Sequence, residues 1–138
     1  MCFGLDIVTK GNLDFDLEKG EYENGNASWK TQIFHMRNET FALRLSLQNN
    51  KFYLETLMLA ERDKSDRFMT SVSILNPKSE PSYTWQINPT PMGPTDIQES
   101  IIVVHKTSLA KVFKTNQDLF EFAISFKVSE KRSIEAVN

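Results

Sequence analysis

Phe120-Glu121-Phe122-Ala123-Ile124-Ser125-Phe126-Lys127-Val128 is the stretch that decides the fold. Its large apolar residues fall at every second position, and the residues between them are small or polar. Successive side chains of a strand change face with a period of two, so the segment reads as a half-buried β-strand with Phe120, Phe122, Ile124, Phe126 and Val128 toward a core. Two earlier stretches repeat the pattern. Phe41, Leu43, Leu45 and Leu47 enclose Ala42, Arg44 and Ser46, and Phe68, Thr70, Val72 and Ile74 enclose Met69, Ser71 and Ser73. Residues 4–9, 29–36, 51–60, 82–87 and 100–105 are further strand candidates, rich in aromatic and β-branched side chains.

The punctuation between these runs belongs to hairpins. Gln48-Asn49-Asn50 separates two strands as a tight turn does, and Asn76-Pro77-Lys78-Ser79 closes a third with turn-forming residues. About eight strands at this spacing predict an all-β fold, two antiparallel sheets packed face to face. Thr107-Ser108-Leu109-Ala110-Lys111-Val112-Phe113 interrupts the pattern, and its hydroxyl N-cap candidates and its apolar residues at 109, 112 and 113 predict a short helix near residues 107–114. Two stretches read as loops. Residues 14–25 hold Asp14, Asp16, Glu18, Glu21 and Glu23 against Lys19 alone, without the spacing of a calcium loop, and residues 88–94 hold three prolines and a glycine. The polar stretch 129–138 reads as a frayed tail.

With 138 residues, 40% hydrophobic and 25% charged, the chain has room for a single globular unit, placed at residues 1–128. A net charge of −2 offers no basic footprint for nucleic acid or an anionic membrane. The longest apolar runs, Ile101-Ile102-Val103-Val104 and Leu57-Met58-Leu59-Ala60, are far short of the roughly twenty residues of a membrane-spanning helix. No basic segment followed by an apolar one opens the sequence, so it reads as an intracellular protein, cytoplasmic or nuclear. Asn26-Ala27-Ser28 and Asn38-Glu39-Thr40 match the glycosylation pattern and read as chance occurrences.

Chemistry has few places to come from. Cys2 is the only cysteine, which rules out an internal disulfide, a cysteine-based zinc site and an iron–sulfur cluster. His35 and His105 are the only histidines, and neither sits in a recognisable nucleophilic constellation. No glycine-rich phosphate loop occurs among the five glycines. The reading is a non-enzyme without cofactor or metal, and what a small sandwich offers instead is recognition. A bare sheet edge accepts an extended peptide as an added strand, and the same edge chemistry supports dimers.

The order of landmarks resembles a known family. Gly4-Leu5-Asp6-Ile7-Val8, then Gly25-Asn26-Ala27-Ser28-Trp29, the 41–47 strand, residues 51–59, Val72-Ser73-Ile74-Leu75-Asn76, Tyr83-Thr84-Trp85, Pro89 to Pro91, and residues 100–104 running into the 107–113 helix resemble the C-terminal substrate-binding domain of seven-in-absentia proteins over residues 3–128. The resemblance implies a TRAF-like sandwich that dimerises, alone or with a related domain. It also implies a groove where a partner's extended segment adds as a strand, with Ala27, Ser28, Trp29 and Thr31 on one side and Cys2 or Phe3 on the other. Complete members carry a RING and zinc fingers, and Cys2, His35 and His105 cannot build even one such cysteine-rich zinc site, so the chain reads as an excised domain or as a RING-less adaptor. It departs from the family at the groove. Ala27, Ser28 and Thr31 stand where the family has Val, Asp and Met, which implies a shallower, uncharged groove. A RING-less dimerisation scaffold with a decayed groove is the alternative. A third reading is the substrate-presenting half of a ubiquitin ligase. Trp29 reads equally as a core plug and as a groove residue, whereas Trp85, between Tyr83 and Ile87, reads as core.

Overall fold

The computed structural model describes residues 5–36, 38–92 and 101–131. Alternation sets the architecture. β4 (Glu39–Gln48) and β5 (Lys51–Met58) form a hairpin in which Leu47 pairs with Phe52, Leu45 with Leu54 and Phe41 with Met58, all facing inward. Its turn is Asn49-Asn50, both at positive φ (50° and 69°), the left-handed geometry of a two-residue hairpin that asparagine tolerates. The predicted tight turn is therefore present.

β4 and β5 are the middle of a six-stranded sheet. β2 (Ala27–Ser28) and β3 (Gln32–Met36) pair with β4 on one border, and β8 (Thr90–Pro91) and β9 (Ile101–His105) pair with β5 on the other. The second sheet runs in the order β1 (Leu5–Glu18), β11 (Leu119–Lys131), β6 (Phe68–Leu75) and β7 (Pro81–Ile87), with β10 (Lys114–Asn116) also on β11. Every pairing among the described residues is antiparallel except the short β5–β8 contact. The two sheets face each other as a sandwich. Phe122, Ile124, Phe126 and Val128 from β11 and Val72 and Ile74 from β6 meet Phe41, Leu43, Leu45, Phe52 and Leu54 in one core, each fully buried side chain stabilising by about 1.5–3 kcal/mol.

Several sequence expectations need correction. Residues 14–25 are not a loop, since β1 continues to Glu18 and α1 (Lys19–Asn24) follows. Leu13, Phe15 and Leu17 face the core while Asp14, Asp16 and Glu18 face solvent, so the acidity is simply the wet face of a strand. α1 opens with a reciprocal capping box between Glu18 and Glu21 and closes on Gly25 at φ 76°. There the Asn26 N–H reaches Glu21 O and the Gly25 N–H reaches Tyr22 O, the pairing of a Schellman ending. The strand expected over 29–36 begins only at Gln32, as β3, and a separate two-residue β2 precedes it at Ala27–Ser28, with Trp29 turned inward between them. The helix near 107–114 starts one residue earlier, as α3 (Lys106–Leu109) followed by a 3-10 turn at Ala110–Val112. Its N-cap is His105 rather than a hydroxyl, with Nδ1 accepting from the Thr107 N–H. α2 (Arg62–Ser65) was not anticipated. The proline-rich stretch contributes β8, and residues 93–100 lie outside the described ones. β11 runs to Lys131, three residues into the expected tail, with residues 132–138 also outside.

Candidate functional site

The free borders of the two sheets follow from hydrogen-bond parity. Gln48 and Lys51 close the two-residue turn, and the Leu59 N–H donates to Thr40 O at 2.9 Å, so the even-numbered residues of β4 bond to β5. The odd-numbered residues therefore face the other way, Leu47 toward Ala27, Leu43 toward Gln32, Phe41 toward Phe34 and Glu39 toward Met36. It follows that the N–H and C=O groups of Ser28, Ile33 and His35 point away from β4. Among the described residues no strand pairs with that border.

The edge of the other sheet lies opposite. The Lys19 N–H donates to Asp118 O at 3.0 Å, which turns the odd-numbered residues of β1 toward β11 and the backbone groups of Asn12, Asp14, Asp16 and Glu18 outward. Trp29 bridges the two edges. Its Nε1–H donates to Asp16 O at 2.9 Å, and its ring lies edge-on to Phe15 (6.1 Å) and Phe122 (6.2 Å) and stacks on Phe52 (6.3 Å). The indole is half-buried, and its one polar atom has its partner. The ring packs against the core while part of its surface stays open at the border.

The other proposed groove residues are brought to this border without a shared direction. Ala27 is half-buried against the core, whereas Ser28 and Thr31 are exposed. Phe3, like Cys2, lies outside the described residues. Gly25, at the head of the Gly-x-x-x-Trp segment, sets where these residues sit. Its carbonyl accepts from the Asn50 N–H at 3.1 Å, and Asn26 Oδ1 accepts from the Asn49 N–H at 3.3 Å, so the β4–β5 turn holds the start of β2.

Sequence reasoning placed a strand over 29–36 but gave its residues 32–36 no part in the site. Ile33 is 60% exposed on the outer face of the sheet, and Phe34 is half-buried and stacks on Phe126 at 4.8 Å. The available signal was that Gln32-Ile33-Phe34-His35-Met36 carries no Lys, Arg, Asp or Glu. On β7, the edge of the other sheet away from β1, Trp85 is half-buried rather than fully enclosed, and it stacks on Tyr83 at 5.9 Å. The Tyr83 hydroxyl donates to Ser108 O at 3.0 Å, tying β7 to α3.

The remaining polar groups are dispersed. His35 Nδ1 lies 3.1 Å from Thr40 Oγ1 and His105 Nδ1 3.0 Å from Thr107 Oγ1, and β3 and β9 hold the two imidazoles on opposite borders of one sheet. A shallow cavity of about 370 Å³ opens over β11 between β10 and the end of β6, with Asp14, Asp16, Glu121 and Lys114 in its lining. No group of three or more His, Cys, Asp and Glu side chains among the described residues is placed to hold a metal ion. No helix of the described residues is long and apolar enough to cross a membrane. The arrangement is that of a surface offering backbone hydrogen bonds. No protein-family model matches the chain, and no curated protein matches it either.

Proposed function

We propose that this chain is a non-catalytic protein-interaction domain that takes up an extended segment of a partner as an added strand along the β2–β3 border. The observation that carries the reading is the row of outward backbone groups at Ser28, Ile33 and His35, which no described strand satisfies. The sequence resemblance to the substrate-binding domain of seven-in-absentia proteins supports the same border. It further supports a role as an adaptor or substrate-recognition module of the ubiquitin pathway inside the cell, assembling as a dimer. Trp29 then acts as the fixed floor of the border, and the added strand is held by main-chain bonds.

Proline at Ser28 tests the reading cleanly. Ser28 turns its N–H to the border, so Ser28→Pro removes a donor from the docking edge and none from the β2–β4 pairing. In a screen of extended peptides against the full chain, saturable binding that Ser28→Pro weakens about tenfold, with an unchanged melting temperature, is the expected result. Absence of binding to every peptide would count against the proposal. One observation favours the alternative of a structural dimerisation scaffold, namely the commitment of the Trp29 indole to the core. That alternative expects assembly in solution, no peptide binding, and no effect of Ser28→Pro on assembly.

A further inference from the structure

We propose that the segment taken up at this border is uncharged and rich in β-branched or aromatic residues, and that Ile33 and Phe34 read it rather than Ser28, Trp29 and Thr31. The inference rests on the strand-addition reading above and adds to it the chemistry of the partner.

The argument begins with how sheet edges are protected. An exposed edge invites unwanted pairing, and sequences blunt it with charges, prolines or irregularities. β1 carries Asp14, Asp16 and Glu18 on its exposed face, and its Asp16 carbonyl is already taken by Trp29. β7 starts at Pro81 and has an irregular register beside it, between Ile74 and Leu75. β3 itself has none of these devices along its length, and the irregularity of this border is confined to the break between Ser28 and Gln32. Its five residues lack Lys, Arg, Asp and Glu, its pairing with β4 is regular from Gln32 to Met36, and Ile33 leaves most of its side chain in water. The Ile101–Val103 edge of β9 is comparably bare, but it continues directly into residues outside the described ones.

Register then fixes what the occupant meets. A strand added to β3 exchanges main-chain bonds at Ile33 and His35, and its side chains alternate between the two faces of the extended sheet. On the outer face it lies beside Ile33, whose inner neighbour in the same row is Ala42 followed by Leu57, an apolar row that ends in solvent at β3. On the inner face it lies beside Phe34, which already rests on Phe126. A charged residue at either position would be placed against apolar surface with no opposite charge on β3 to receive it, whereas a branched or aromatic one extends both rows. Neutrality along the strip is thus the complementarity that the edge offers. Ser28 and Thr31 have only small hydroxyls to offer, and Trp29 faces inward, so none of them distinguishes one segment from another.

A positional peptide array decides it. Each position of an extended peptide that binds the full chain is changed in turn to Val, Phe, Lys and Asp, and binding is read by fluorescence anisotropy for the wild type and for Ile33→Val, Ile33→Asp and Thr31→Val. Lys or Asp at the positions facing Ile33 and Phe34 is expected to weaken binding about five- to tenfold. Ile33→Asp is expected to do the same from the other side, with Ile33→Val and Thr31→Val within about twofold of wild type. Far-ultraviolet circular dichroism and the melting temperature confirm that the exposed Ile33 variants remain folded. Binding indifferent to peptide charge, or unchanged in Ile33→Asp, overturns this inference while leaving strand addition standing. Failure of every peptide to bind overturns both. Self-association of the wild type that Ile33→Asp abolishes overturns the inference as well, because the occupant would then be a second copy of the chain.

Discussion

Replacing Gly25 with alanine would place a Cβ 2.1 Å from Asn50 Oδ1 and 2.9 Å from the Asn50 nitrogen, at a φ of 76° that side chains avoid. Either the β4–β5 turn or the end of α1 must then yield, and Gly25→Ala is expected to cost about 1–3 kcal/mol in urea unfolding. Trp29 separates packing from hydrogen bonding at one position. Trp29→Phe keeps a ring against Phe15 and Phe52 but leaves Asp16 O to water, for an expected loss of about 0.5–1.5 kcal/mol. Trp29→Ala also empties the space, and the loss should approach the lower end of the roughly 3–5 kcal/mol typical of such truncations, since the ring is only half-buried. At this scale the sequence was partly legible. A glycine four residues before a tryptophan marked the segment, but the conformation that requires glycine depends on Asn50, which is remote in sequence. Likewise nothing local to Trp29 announces that its indole nitrogen reaches the Asp16 carbonyl across the sandwich.

Elements are held to one another by a few long-range clasps. Lys106, the first residue of α3, donates from Nζ to Tyr22 O (2.6 Å) and Glu23 O (3.3 Å) at the end of α1, and its ammonium sits 4.7 Å from the centre of the Tyr22 ring. A cation at a helix C-terminus and over an aromatic face is favourable on both counts. Lys106→Met keeps much of the stem and removes the charge, so a loss of about 1–2 kcal/mol is expected, together with faster amide hydrogen exchange confined to residues 19–25. Strands with alternating burial were readable at this scale, as β4, β6 and β11 show. β1 was read only in part because its wet face is so acidic that composition masked the alternation of Leu13, Phe15 and Leu17. The split between β2 and β3 was hidden for a different reason. Trp29 and Ile33 are both strand-forming residues, and only packing turns one inward and leaves the other out.

For the molecule as a whole, one continuous core joins the borders, which makes a single unfolding transition the expectation. Trp29 sits beside β1 and Trp85 on β7, the opposite edge of the same sheet. The fluorescence of Trp29→Phe and of Trp85→Phe, each retaining one indole, should report a denaturation midpoint that matches circular dichroism on the same variant. Midpoints that differ between probes would mean that the two borders open separately. The two-sheet architecture was legible from alternation and turns, whereas strand order was not, because alternation says which face a residue takes and nothing about its neighbour in the sheet. That order has a consequence for the nascent chain. β11, the last strand to be synthesised among those described, lies inside its sheet between β1 and β6. Until residues 119–131 clear the ribosome, β1 and the β6–β7 pair have no bridge, and Phe15, Leu17 and Val72 stay without the aromatic wall that later covers them. Translation must therefore run past residue 131 before half the sandwich can close. During that interval the unfinished polypeptide presents apolar strands of the kind that chaperones shield.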